Sequence, residues 1–406
     1  MNTILSRLFL PNTLALVLGL GITCTIGYGT LFYSFSLLSI ELEQHFLWSK
    51  EFIFGVFSFG ILCSGFMAPV IGKCLDRYGA WTLMSLGSVI VAICLLALSQ
   101  INNKLSFIFT LVILEMASLL VLYESAFVAL TQYVGKKARY PIAQITLMAG
   151  FASTIFWPLI SWLLTFLDWR SVYIILALLH LLVCFPVHFF VLGDKHKVNI
   201  GEADIKSRQY GQNGGGNWGR VKWIVAIALG CGAFAIAALQ IHLFYILKVF
   251  DIDSALAVTL GALLGPFQVV SRLVDMCFGH KITPIMLGVI SFLMMSVGVV
   301  GLFVLHFVPD FIWLFSIAFG AGQGLAYIVR GAIPLFLFGS HDYGAVTGDL
   351  NRLRMILTAM APFTFALMIQ YWGVYIALLT LLALLLLSVG LLFSLRKCRQ
   401  DTFNST

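Results

Sequence analysis

The sequence predicts an all-α integral membrane protein with twelve transmembrane helices, arranged as two pseudo-symmetric bundles of six. Three observations carry that prediction. The 406 residues are 61% hydrophobic and only 10% charged, with a mean hydropathy of +1.01, whereas soluble domains carry roughly 25% charged residues. Apolar runs of about 20 residues, the length that crosses a bilayer, recur from end to end. One long polar stretch divides them near the middle of the chain. No compact soluble core hides this much apolar surface, so lipid must be its solvent.

In chain order the runs fall at 12–38, 52–72, 80–100, 106–131, 141–167, 170–192, 222–247, 254–278, 284–307, 311–338, 345–371 and 373–395. Each is predicted to be helical, because a backbone in hydrocarbon must satisfy its own hydrogen bonds. The first run follows a single basic residue, Arg7, without a convincing cleavage site, and reads as a retained span. Residues 193–221, which include Gly214-Gly215-Gly216, are glycine-rich and charged and predict a flexible linker. The expected organisation is an amino-terminal bundle over 1–192, a cytoplasmic linker over 193–221, and a carboxy-terminal bundle with a short tail over 222–406.

Loop charge sets the orientation. With both termini cytoplasmic, sixteen of the 24 Lys and Arg residues fall on the inner side, and only Lys50, Lys104, Arg170 and Lys248 fall on the outer side. Arg272, Arg330, Arg352 and Arg354 lie within spans. The net charge of +7 is therefore a topology signal and not a nucleic-acid footprint. The eight cysteines form no CxxC pair, which excludes a Cys-type zinc site and a disulfide scaffold. No metal and no cofactor are expected. HExxH, GxSxG and a phosphate-binding GxxxxGK[ST] are absent, which argues against an embedded enzyme and against an ATP-driven pump. Short loops without an external glycosylation sequon point to a bacterial inner membrane; the expected partners are the lipid bilayer, a small-molecule substrate and protons, and the expected state is a monomer.

The two halves share a pattern. Gly72-Lys73-Cys74-Leu75-Asp76 comes at and after the end of the second span, and Ser271-Arg272-Leu273-Val274-Asp275 repeats its small-basic-x-x-Asp pattern near the end of the eighth. Parallel repeats of this kind predict a transporter with its cavity between the halves.

Gly72-x-x-x-Asp76-Arg77-x-Gly79 resembles the loop signature of the major facilitator superfamily. That resemblance implies secondary transport by alternating access, with Gly72, Asp76, Arg77, Gly79 and the repeat-matched Asp275 acting as a conformational gate. Ala80 and Trp81 stand where the signature has further basic residues. Phe46-Leu47-Trp48-Ser49-Lys50 resembles the Phe-Gly-Trp-Ser/Thr segment of the monocarboxylate and oxalate/formate porter branch, with Leu47 in place of glycine. Gly265-Pro266-x-Gln268-x-x-Ser271-Arg272 is similar to bacterial porters related to that branch, which implies that Arg272 meets a substrate anion. The fifth span, Gly150 to Pro158, lacks the Gly-Pro-x-x-Gly-Gly pattern of proton-driven drug exporters.

A charge near the bilayer centre costs roughly 2.5–3.5 kcal/mol and faces a cavity or a partner. On the tenth span Gln323, Tyr327 and Arg330 share one helical stripe, a donor-rich wall suited to an anion. The resemblance implies that the fourth helix of each half lines the cavity, so Glu124 would oppose Arg330 there. Glu124 is then either a proton-coupling carboxyl or one end of a permanent bridge between the halves. Glu115, nine residues earlier, falls on the opposite face of a continuous helix and is the second proton-coupling candidate. Gln268, Arg272 and Asp275 form another stripe, either substrate-facing or structural. Tyr33, Gln240 and His242 complete the substrate-binding candidates, on helices that the resemblance places at the cavity.

The expected function is symport of a small organic anion, such as a carboxylate, with protons. Export of amphipathic compounds and import of a larger carboxylate such as a siderophore are the alternatives. A non-transporting membrane sensor is the alternative from another class.

Overall fold

The computed structural model describes residues 13–193, 217–304 and 312–397. Among the described residues, eleven helices are long and apolar enough to cross a membrane. The last of them, Tyr343–Ser394, holds Gly373 at φ 81° and ψ 167°, a conformation that needs glycine. It is therefore two spans meeting at a corner, which makes twelve. We label them α1 (Leu14–Phe46), α2 (Lys50–Tyr78), α3 (Ala80–Ser99), α4 (Lys104–Val134), α5 (Arg139–Leu164) and α6 (Trp169–Leu192). The others are α7 (Asn217–Val249), α8 (Ser254–Phe278), α9 (Pro284–Val304), α10 (Phe315–Phe338), α11 (343–372) and α12 (374–394). Most of the expected linker, 194–216, and the tail from 398 lie outside the described residues.

Helix ends overrun the apolar runs. The first helix continues to Phe46, through Glu41 and Glu43, because hydropathy marks contact with lipid while the backbone propagates until a stop signal. The stop is Leu47, left-handed at φ 54°. Ser49 then caps α2 by accepting from the Phe52 N–H at 3.3 Å. At the start of α6 the Ser171 hydroxyl and N–H hold the Asp168 carboxyl below the usual carboxylate range. Arg170 closes the other side of that corner, donating from Nη1 to the Ser99 carbonyl at 2.6 Å and from Nη2 to the Ile101 carbonyl at 3.0 Å. It thereby satisfies carbonyls left over at the end of α3.

Several helices are irregular. In α4 the helix stops at Ser118 and resumes at Tyr123, with Leu122 extended at ψ −165°. The Ser125 hydroxyl donates to the Leu119 carbonyl across the break at 2.7 Å. In α1 the turn Gly29–Tyr33, in α6 the turn His180–Cys184, and in α10 the turn Phe315–Phe319 widen into π-helix.

The chain forms two compact units. One contains Met1–Ile205 and Phe338–Arg352; the other contains Lys206–Leu337 and Leu353–Thr406. The core of the first includes Leu38, Leu42, Leu95, Leu98, Phe107 and Ile160, all fully or almost fully buried. Buried side chains of the second include Phe292, Phe315, Phe319, Phe365 and Leu385.

Candidate functional site

In the first unit the signature between α2 and α3 is built around backbone groups. Asp76 sits in the last turn of α2 and accepts from the Gly344 N–H at 2.9 Å and the Ala345 N–H at 2.6 Å. These amides open α11, where four N–H groups lack helical partners and the helix end attracts negative charge. Close approach makes the contact possible. A methyl group on Gly344 would sit 2.5 Å from the Gly72 carbonyl oxygen, and one on Gly348 would sit 2.5 Å from that of Ala68. Gly79, at φ 85°, turns the chain into α3. Arg77 is exposed, with its guanidinium 5.3 Å from the Tyr78 ring centroid.

Gln132, a residue that motif reasoning passes over, staples this turn. Its amide donates to the Leu75 carbonyl and accepts from the Ala80 N–H, each at 2.9 Å. One α4 side chain thus fixes the end of α2 and the start of α3.

Glu124 lies in the first turn after the α4 break, half-buried. It lines a small recess with Ala68, Gly72, Leu119, Thr347 and Asn351, all within the first unit. Glu115 precedes the break and is buried against α2, where a methyl group on Gly60 would lie 2.8 Å from its Cγ. Its carboxyl makes no hydrogen bond or ion pair with a described residue. The helical rotation that set the two glutamates on opposite faces does not apply, because four residues between them leave the helix. Tyr33 packs edge-on to Trp157, with ring centroids 5.4 Å apart.

In the second unit a polar cluster joins α8 and α10. Arg272 is 2% exposed. It donates from Nε to the Gly324 carbonyl at 3.2 Å and from Nη2 to Gln268 Oε1 at 3.4 Å, and its guanidinium lies 5.2 Å from the Tyr327 ring centroid. Gln268 donates to Gln323 Oε1 at 3.3 Å, while the Gln323 Nε2 is buried without an acceptor. Gln323, Tyr327 and Arg330 follow one another along the regular part of α10. Three expected binding residues, Arg272, Gln323 and Tyr327, therefore come together, and Arg330 stands half-buried one turn beyond Tyr327. Asp275 is buried near Gly279.

The α7 candidates lie apart from this cluster. Gln240 is exposed. The His242 Nε2 donates to the Pro362 carbonyl at 2.9 Å, and its ring packs on Phe365. Among the described residues no three His, Cys, Asp or Glu side chains are grouped so as to hold a metal ion.

Residues 17–362 match the sequence profile of the Major Facilitator Superfamily. No curated protein matches significantly. Among solved structures, the human organic anion transporter MFSD10 (TETRAN) superposes with a TM-score of 0.74 at 15% identity, covering 95% of this chain and 100% of that one. The proton:xylose symporter XylE, bound to 6-bromo-6-deoxy-D-glucose, superposes with a TM-score of 0.68 at 12% identity, covering 93% and 95%. At these identities the two structures establish the fold.

Proposed function

The chain belongs to the major facilitator superfamily, and from that premise we propose that this secondary transporter carries a small organic anion together with protons. As a member it works by alternating access and performs no chemistry on its cargo. The single observation that carries the anion reading is the donor-rich stripe of α10. Gln323 presents a buried Nε2 without an acceptor, followed by Tyr327 and Arg330 at helical spacing. An unmet buried donor costs about 1–3 kcal/mol, and an anionic oxygen would satisfy it. Arg330 supplies the countercharge and a forked geometry matched to a carboxylate. The organic anion transporter and the proton symporter among the fold relatives are in keeping with both halves of the reading.

The proton is assigned to α4. Glu124 lines a largely apolar recess, and Glu115 is buried, with no partner for its carboxyl among the described residues. Either exchanges its charge for a proton. The excess of basic residues in alternate loops supports cytoplasmic termini, short loops support a bacterial inner membrane, and a monomer is part of the same reading. Tyr33 in the first unit and Gln240 and His242 in the second are further substrate-binding candidates, and Gly72, Asp76, Arg77 and Gly79 in the first unit and Asp275 in the second are gating candidates.

The test is uptake into proteoliposomes from a compound panel, with and without a pH gradient. Carboxylates, sugars, a siderophore and amphipathic cations belong in the panel. Gradient-driven carboxylate flux is expected, and Arg330→Ala should reduce it at least tenfold, about the 1.4 kcal/mol of one charge-assisted hydrogen bond. Glu124→Gln should abolish driven uptake while exchange of preloaded substrate survives. Driven uptake that survives in Glu124→Gln but fails in Glu115→Gln moves the proton to Glu115. Flux of sugars or cations alone overturns the anion reading.

A further inference from the structure

We propose that His180 is a positioning residue, which joins the widened turns of α1 and α6 through Thr30 and so fixes the part of α1 that carries Tyr33. A π-turn breaks the regular hydrogen-bond ladder and persists where neighbours compensate for it. Both turns belong to the first unit, and they meet. Thr30 Oγ1 lies 2.7 Å from His180 Nε2. Thr30 sits inside the α1 turn, Gly29–Tyr33, and His180 opens the α6 turn, His180–Cys184. Both residues are almost completely buried.

The direction of this hydrogen bond follows from the proton count. Thr30 has one hydroxyl proton, and the Ile26 carbonyl takes it at 2.8 Å. The Thr30 oxygen is left to accept, so His180 donates from Nε2. Its Nδ1 is then a bare acceptor, and it has no partner. His188, eight residues on, is engaged elsewhere. Its Nε2 lies 3.0 Å from Thr23 Oγ1, and its Nδ1 lies 2.7 Å from Ser88 Oγ and 3.2 Å from the Met84 carbonyl. It does not substitute for His180 at Thr30.

On its other side the α1 turn is held by α5. The Trp157 indole N–H donates to the Tyr33 carbonyl at 3.2 Å and to Ser36 Oγ at 3.1 Å. Phe156 fills the space where any side chain on Gly29 would go. Tyr28, one residue before the turn, packs on Tyr123 of α4 with centroids 4.6 Å apart. Trp157 ties the widened turn of α1 to α5, His188 ties α1 to α6 earlier along the helix, and Thr30–His180 is the polar tie that joins the two widened turns to each other. The consequence for transport rests on the reading of Tyr33 as a substrate contact; the tie itself does not.

Hydrogen–deuterium exchange on the full chain in lipid nanodiscs tests the tie without any substrate. Thr30→Val removes the acceptor at nearly constant shape, and His180→Leu removes the donor. Each is expected to speed amide exchange about tenfold in both 29–36 and 180–187, although each alters only one helix. His180→Gln keeps a distal N–H donor and should return both segments to the parent rate. Acceleration confined to the substituted helix, or His180→Gln as fast as His180→Leu, overturns the proposal. If His180→Leu does not yield folded protein, Thr30→Val and His180→Gln decide the question. Reciprocal exchange alongside normal uptake by Tyr33→Ala would keep the tie and remove Tyr33 from the substrate site.

Discussion

Gly72-Lys73-x-x-Asp76 and Ser271-Arg272-x-x-Asp275 have the same spacing at the same end of equivalent helices, and the fold uses them in opposite ways. In the first, the base is exposed and the acid engages two backbone amides of α11. In the second, the base is buried, wrapped by the Gly324 carbonyl, Gln268 and the Tyr327 ring, and the acid is buried near Gly279. The repeated pattern therefore encodes a place on a helix and not a role. What separates the two copies is the small residue at the start. Gly72 lets another backbone come against α2, whereas the hydroxyl of Ser271 packs against Gly324.

The largest expected effect breaks the first copy. A side chain at Gly72 would collide with the Gly344 carbonyl, a backbone atom that cannot rotate away. Gly72→Val should cost about 3 kcal/mol, the upper part of the overpacking range, and should separate Asp76 from its amides. Gly55→Val on the same helix meets nothing within 4 Å and serves as the control. Thermal unfolding in one detergent reads both, and equal melting temperatures for the two variants would refute close backbone approach at Gly72.

The next effect sharpens the contrast between the two bases. Arg272→Met keeps most of the volume but strips donors from the Gly324 carbonyl and Gln268, so about 2 kcal/mol should be lost. Lys73→Met, at an exposed position, should stay within about 0.5 kcal/mol. Equal losses in unfolding assays would mean that the repeat equivalence, and not burial, governs both residues.

Much of this architecture is legible in composition and period. Lipid demands long apolar helices, and that demand is strong enough to mark all twelve. Contacts between distant segments are not legible. Asp76 and Gly344 are 268 residues apart, and nothing local in either segment points to the other. The α4 break is equally silent, since Leu119-Leu120-Val121-Leu122 is as apolar as its flanks. Hydropathy therefore runs straight through it, and the placing of Glu115 on the face opposite Glu124 by helical rotation loses its basis. The cluster of Arg272, Gln323 and Tyr327 was legible in part. Stripe reasoning groups residues along one helix, and it grouped Gln323 with Tyr327, but it does not reveal that α8 meets α10. Gln132 carries no sequence signal, because a glutamine that staples two backbone ends reads like any other.

The smallest effect compares two corners. Leu47 ends α1 at φ 54°, and Asp251 follows α7 at φ 57°. Two residues later Ser49 and Asp253 each cap the next helix. The corners share a left-handed residue followed by a capping residue, and they differ in how well that left-handed residue tolerates its conformation. A left-handed conformation costs a branched apolar residue about 1–2 kcal/mol, while aspartate adopts it more readily. Leu47 is 89% exposed, so replacing it removes little packing. Leu47→Gly relieves the strain, and the freedom glycine adds to the unfolded chain takes back about 0.5–1 kcal/mol. A net gain of about 0.5 kcal/mol should remain, whereas Asp251→Gly should gain nothing, since less strain is there to relieve. Melting temperatures of the two variants, measured side by side in one detergent, check the difference. A larger gain at Asp251 would show that Leu47 is held by packing rather than strained by its backbone.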